Sequence, residues 1–98
     1  MKIKWSPLSL DRILEIAEYI AKDKQGASAN WVDSVFKSVE RLVKFPESGR
    51  IVPELKRSEI REILLGNYRI IYLIENDLIS VLTVRHGKQL LSSENLSK

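Results

Sequence analysis

Residues 60–88 read Ile60-Arg-Glu-Ile-Leu-Leu-Gly-Asn-Tyr-Arg-Ile-Ile-Tyr-Leu-Ile-Glu-Asn-Asp-Leu-Ile-Ser-Val-Leu-Thr-Val-Arg-His-Gly-Lys88. Three runs rich in β-branched and aromatic residues are separated by two short polar breaks, the composition of a strand meander. The first run covers 59–65. Gly66-Asn67 then offers a two-residue, glycine-first turn that suits a hairpin. The strongest strand is 68–75, Asn76-Asp77 can take left-handed turn geometry, and 78–84 forms the last strand. With a period of two, Arg69, Ile71 and Leu73 share one face, and Tyr68, Ile70, Tyr72 and Ile74 share the other. Arg61 falls with Ile63 and Leu65, and Arg85 with Val81 and Thr83.

A sheet this apolar needs a cover, and the upstream residues supply one. Ser6-Pro7 is a helix start: serine accepts from an orphan backbone N–H, and proline gives up an N–H that had no partner. Leu10, Ile13, Leu14, Ala17, Ile20 and Ala21 then recur at steps of three and four, forming one apolar stripe of a helix that runs to about Lys22. Ile16 and Tyr19 lie off the centre of that stripe, free to touch something else. Asp23-Lys-Gln-Gly26 breaks the pattern. A second helix over 27–44 repeats it through Val32, Val35, Phe36, Val39, Leu42 and Val43, and Pro46 stops it. So short a break predicts an antiparallel helical hairpin. Ahead of both helices, Lys2-Ile-Lys-Trp5 alternates as a short strand with Ile3 and Trp5 on one face. Residues 45–50 are loop by composition, and 51–57, cut by Pro53, are loop or edge strand. The polar, serine-rich tail at 90–98 is expected to fray, leaving it partly disordered. The expected fold is α+β in the order β-α-α-β-β-β. An N-terminal short strand and an antiparallel helical hairpin pack on a mainly antiparallel twisted sheet, in a single domain over 1–98.

Composition narrows the function. Ninety-eight residues suit one domain. The absence of cysteine removes disulfides, thiol catalysis and thiolate metal sites. His86 is the single histidine, so no metal site and no cofactor is expected. A net charge of +3, from 16 basic and 13 acidic residues, is a mild bias, so any surface for a polyanion or acidic partner must come from local clustering. No apolar run approaches a membrane span and no signal-peptide core follows Met1, which points to a soluble, cytoplasmic protein without membrane association.

Arg61, Arg69 and Arg85 then need a reason. One arginine at a strand end can snorkel, but three in neighbouring strands repel unless an anion or acidic partner sits among them. Guanidinium groups suit phosphate or carboxylate recognition. His86 follows Arg85 and so points to the opposite face, and one histidine builds no triad by itself. Trp5 and Trp31 read as packing residues, with an exposed Trp31 becoming an interface anchor. Tyr68 and Tyr72 divide between core packing and base stacking, and Gly49-Arg50 presents a basic residue on a loop.

Taken in order, these pieces resemble a known family. Trp5-Ser6 leads into Asp11-Arg-Ile-Leu-Glu-Ile-Ala-Glu-Tyr-Ile20, then come Leu42, Phe45-Pro46 and Gly49-Arg50. Arg61-Glu-Ile, Tyr68-Arg-Ile-Ile-Tyr72 and Ile79-Ser-Val-Leu-Thr-Val-Arg-His86 complete the set. No single piece is specific, but the ordered set resembles the RelE/ParE superfamily of type II toxin–antitoxin toxins, known in plasmid stabilisation. That resemblance implies a toxin causing growth arrest, held in a hetero-oligomer with an acidic antitoxin, for which Ile16, Tyr19 and Trp31 are the contact residues expected. Two branches share the fold. RelE-like members are ribosome-dependent mRNA endonucleases that work without metal, and here Arg61, Arg69, Arg85 and His86 would be the catalytic candidates. ParE-like members inhibit DNA gyrase and are not known as nucleases. The ending Arg85-His-Gly-Lys-Gln-Leu-Leu91 lacks the tyrosine ending usual in the first branch and is closer to the second. The ParE-like branch is therefore favoured, with Arg61, Arg69, Arg85, His86 and Lys88 as the target-binding set. The RelE-like enzyme acting on ribosome and mRNA stands as the alternative, and a non-toxic remnant that only binds its antitoxin as a further one.

Overall fold

A computed structural model describes residues 1–92. The elements are β1 (Lys2–Trp5), α1 (Pro7–Asp23), α2 (Gln25–Glu40), a 3₁₀ turn (Arg41–Val43), β2 (Arg50–Ile51), β3 (Ile60–Leu65), β4 (Tyr68–Glu75) and β5 (Leu78–His86). One mixed five-stranded sheet has the order β1-β5-β4-β3-β2. The meander β3-β4-β5 is antiparallel, β1 joins β5 in parallel, and two-residue β2 covers part of the far edge. This is the expected α+β architecture, with Arg50, expected in a loop, and Ile51, from the stretch read as loop or edge strand, forming the short edge strand.

The local signals act where they were read. Ser6 caps α1, its hydroxyl oxygen accepting from the Ser9 N–H at 3.0 Å, with Pro7 as the first helical residue. Gly66 takes a positive φ of 58° at the first turn and Asn76 one of 48° at the second, the left-handed geometry both turns require. The helices differ from expectation in detail. Lys24 alone separates them, in extended conformation, and Gly26 lies inside α2. The second helix gives way at Arg41 to a 3₁₀ turn; Phe36 and Val43 are exposed, while Val35, Val39 and Leu42 are buried. In α1 the buried stripe is rotated from the one expected. Ser9 and Ile13 face inward with Ile16 packed beside them, whereas Leu10 and Leu14 are 45% and 60% exposed. A helix can turn a mixed apolar arc either way, and packing against β5 decides the rotation here.

Two apolar clusters sandwich the sheet. On the helix side Ile13, Val35, Val39, Leu42, Ile70, Tyr72, Ile79, Val81 and Val84 form the main core, with Ile3, Trp5 and Trp31 packed on it. On the opposite face Val52, Ile60, Ile71, Leu73, Leu82 and Leu91 make a smaller one. The cover on that second face is the irregular segment after β2 together with Leu91. The tail was expected to fray from Leu90, but Leu91 is buried; residues 93–98 lie outside the described part.

One irregularity reassigns a side chain. Ile71 pairs with Thr83 and Tyr72 with Val81, so Leu82 is an extra residue on β5. Val81 faces the helices, Leu82 and Thr83 both fall on the other side, and alternation resumes with Val84 inward. Arg85 was expected to share a face with both Val81 and Thr83; the bulge separates it from Val81. The Leu82 carbonyl accepts the Ser6 hydroxyl at 2.8 Å, so the helix cap also closes the bulge.

Candidate functional site

The three arginines do not converge. Arg61 pairs opposite Tyr72 and is turned to the helix-covered face. Its guanidinium donates to the carbonyls of Gly49 at 3.0 Å and Ser58 at 3.1 Å, fastening the loops on either side of β2. Arg69 and Arg85 sit opposite one another on β4 and β5, on the other face. Arg85 Nε is buried with no hydrogen-bond partner among the described residues.

Arg69 is 4% exposed and neutralised. Its Nε donates to Glu62 Oε1 at 2.6 Å, Nη1 to Glu54 Oε2 at 2.8 Å and Nη2 to Glu54 Oε1 at 2.9 Å. A fourth bond runs from Nη1 to the Gln89 carbonyl at 3.0 Å. Glu62 has a fully buried side chain and also accepts from Arg50 Nε. The result is a chain of alternating charge, Arg50–Glu62–Arg69–Glu54, running from β2 through β3 and β4 to the segment that follows β2. The Arg69 fork holds the Glu54 carboxyl down at about 2, against burial, with the Leu91 N–H adding a smaller push in the same direction. The same pairing, with Glu54 first, raises the Arg69 guanidinium above its ordinary value.

Beside this chain opens a cleft of about 250 Å³, lined by Arg50, Leu64, Tyr68, Arg69, His86 and Lys88 with the turn residues Gly66, Asn67 and Gly87. Its charged lining is entirely basic. Arg50 forms one wall, its side chain 55% exposed although one nitrogen is tied to Glu62. Lys88 and His86 form the other. The Lys88 N–H donates to His86 Nδ1 at 3.2 Å, which leaves the ring proton on Nε2 in the neutral tautomer. The His86 ring stands edge-on to Tyr68 at 5.7 Å, and Tyr68 edge-on to Trp31 at 5.3 Å, so this wall is continuous with the main core.

Arg50 reaches its wall because the preceding loop is pinned. The Tyr72 hydroxyl donates to the Pro46 carbonyl at 2.7 Å and accepts the Gly49 N–H at 3.0 Å. Only glycine fits there: a Cβ on Gly49 would lie 2.5 Å from the Tyr72 hydroxyl and 2.6 Å from the Glu62 carbonyl.

Of the residues singled out in the sequence, Arg69, His86 and Lys88 line one cleft, Arg85 lies alongside without lining it, and Arg61 faces away. Ile16 and Trp31 are half-buried against the core, and Tyr19 is 71% exposed near the hairpin tip. Glu54 and Glu62 went unread. Glu62 carried a signal, because it shares its strand face with Ile60 and Leu64, and a carboxylate on an apolar face calls for a buried partner. Among the described residues no group of three or more His, Cys, Asp or Glu is placed to hold a metal ion. No helix there is long and apolar enough to cross a membrane.

Known proteins resemble this chain in sequence and in fold. The "Putative toxin Y4kP" of Sinorhizobium fredii (strain NBRC 101917 / NGR234) is 38% identical over 90 residues, covering 90% of each chain. A solved chain from the chromosomal ParDE toxin–antitoxin system of P. aeruginosa matches with a TM-score of 0.73 over 90% of this chain and 97% of that one; at 15% identity the likeness is one of fold. The family model for the ParE toxin of the type II toxin–antitoxin system, parDE, matches residues 3–91, and the chain belongs to that family.

Proposed function

We propose that this toxin acts by binding rather than by cutting, that its target is DNA gyrase, and that the basic cleft between Arg50 and Lys88 is part of the contact surface. The carrying observation is the state of Arg69. A metal-free endonuclease needs cations free to meet a pentavalent phosphate, and Arg69 spends its donors on Glu54, Glu62 and a backbone carbonyl. Arg61 is likewise engaged, and on the opposite face. What the cleft retains, a half-exposed Arg50 with Lys88 and His86 across from it, suits recognition of an acidic protein surface. Family membership implies a cognate antitoxin as partner. The apolar surface of α1 at Leu10 and Leu14, with Tyr19 nearer the hairpin tip, supports a contact there with an amphipathic antitoxin segment.

The test is gyrase supercoiling with purified toxin. Inhibition is expected, relieved by antitoxin, with no cleaved transcript on primer extension of translated mRNA. Unchanged supercoiling at large toxin excess would remove the gyrase reading, and toxin-dependent transcript cleavage would replace it with the nuclease one.

A further inference from the structure

Residues 87–91 carry one wall of the cleft yet lie beyond the last strand. Gly87, Lys88, Gln89 and Leu90 are all exposed. Local bonds shape the turn: Gly87 N–H to the Asn67 carbonyl at 2.7 Å, and Gln89 N–H to the His86 carbonyl at 3.0 Å. What ties the segment back to the body beyond that turn is a different set. Arg69 donates to the Gln89 carbonyl, Glu54 accepts the Leu91 N–H at 3.0 Å, and the Leu91 side chain enters the second core. Both Glu54 oxygens are also gripped by Arg69, and Arg69 in turn holds Glu62, which holds Arg50 at the opposite wall.

We infer that Arg69 and Glu54 are positioning residues, which clamp the backbone of 89–91 so that Lys88 stands at a set distance from Arg50. Arg69 touches no partner in this scheme, since its polar atoms are buried and occupied. It acts through Lys88 on one side and, by way of Glu62, through Arg50 on the other. A single buried chain thus spaces both basic walls, one on the edge strand β2 and the other just after β5, three strands away in the sheet. Surface lysines on a free tail would lose entropy on binding; a clamped one has already lost it. The inference rests on the reading of the cleft as a target surface, so its test keeps the two apart.

Amide exchange over 87–91 reads the clamp, while growth arrest and gyrase inhibition read its consequence. Glu54→Ala removes the fork and the acceptor for Leu91; Glu54→Gln keeps an acceptor and should recover part of the effect. Leu91→Ala loosens the same segment without altering any charge. Glu54→Ala and Leu91→Ala are each expected to speed Leu91 amide exchange at least tenfold beyond the change that lost global stability produces in β4 amides, and to cut toxin potency about tenfold. Lys88→Ala should cut potency without altering exchange at Leu91. Combined with Glu54→Ala, it should cost less than the product of the two single changes, because Glu54 acts in part through Lys88. The clamp is overturned if Glu54→Ala or Leu91→Ala speeds exchange over 87–91 and potency stays at the wild-type level. It is equally overturned if Lys88→Ala and Glu54→Ala multiply. If Glu54→Ala does not fold, Glu54→Gln and Leu91→Ala decide. A wild type that arrests growth without touching supercoiling sinks the gyrase target alone, and the variants are then ranked by growth arrest.

Discussion

Arg69 meets Glu54 through a planar fork, two parallel hydrogen bonds of 2.8 and 2.9 Å that join the centre of the sheet to an irregular segment 15 residues earlier in the chain. Paired in this way, a guanidinium defines the orientation of its carboxylate as well as its distance. The fork therefore sets the position of whatever Glu54 holds next, namely the Leu91 amide.

Acid should weaken the fold through Glu54. Its folded value of about 2 lies below the ordinary glutamate range, so the carboxylate stabilises the native state fully above about pH 4.5, and that contribution is lost as pH falls towards 2. The side chain is 19% exposed, and the effect is on the order of 2–3 kcal/mol at neutral pH. Urea unfolding followed by tryptophan fluorescence at pH 7, 4.5 and 2.5 checks this. The stability gap between wild type and Glu54→Gln should close as the pH drops; a gap that stays constant contradicts the assignment.

Removing Arg69 should cost more than removing Glu54. Arg69→Ala strands Glu62, whose side chain has no exposure, leaving only Arg50 to compensate it. A loss of roughly 3–5 kcal/mol is expected for breaking a buried pair from one side. Arg69→Lys keeps the charge without the fork and should fall between the two. Chemical denaturation gives the order directly.

Ser6→Ala should cost about 1–2 kcal/mol, because one hydroxyl both caps α1 and satisfies the bulge carbonyl of Leu82. In a domain of this size that is a fall in Tm of roughly 5–15 °C. Ser34→Ala, which removes only a bond to the Asn30 carbonyl four residues back in α2, is the control and should shift Tm little.

Tyr72→Phe leaves the Gly49 N–H and the Pro46 carbonyl without their shared partner, an expected loss of about 1–3 kcal/mol. Gly49→Ala forces the same loop off Tyr72 by a direct clash and should be at least as damaging. Both should also lower target binding, since Arg50 follows immediately. Thermal melts set beside inhibition titrations separate the two effects.

Arg50→Ala and Lys88→Ala should each weaken gyrase inhibition roughly tenfold, about 1.4 kcal/mol of binding. Antitoxin affinity should hold if the antitoxin contact lies on the helical hairpin as proposed. Added salt should weaken the wild type more than either variant. Equal salt dependence in all three would remove the cleft from the contact surface.

By itself, the sequence determined the order and ends of the elements. Ser6-Pro7, Gly66-Asn67 and Asn76 act within a few residues of themselves, and periods of two and 3.6 survive in any compact arrangement. It determined equally which side of β4 each residue takes. Only the tertiary structure decided the rest, because each remaining feature is a pairing between distant segments. Leu82 becomes a bulge only when β4 and β5 are in register, and that alone moves Arg85 away from Val81's face. The rotation of α1 that turns Ile16 onto the core and exposes Leu10 and Leu14 comes from packing on β5. Arg69 finds Glu54 and Glu62 across 15 and seven residues of chain, and Leu91 finds the second core. Of the three arginines that read as a gathering of like charge, the sheet separates only Arg61 from the facing pair Arg69 and Arg85. One fastens a loop, one anchors a buried chain, and Arg85 has no ion-pair partner among the described residues.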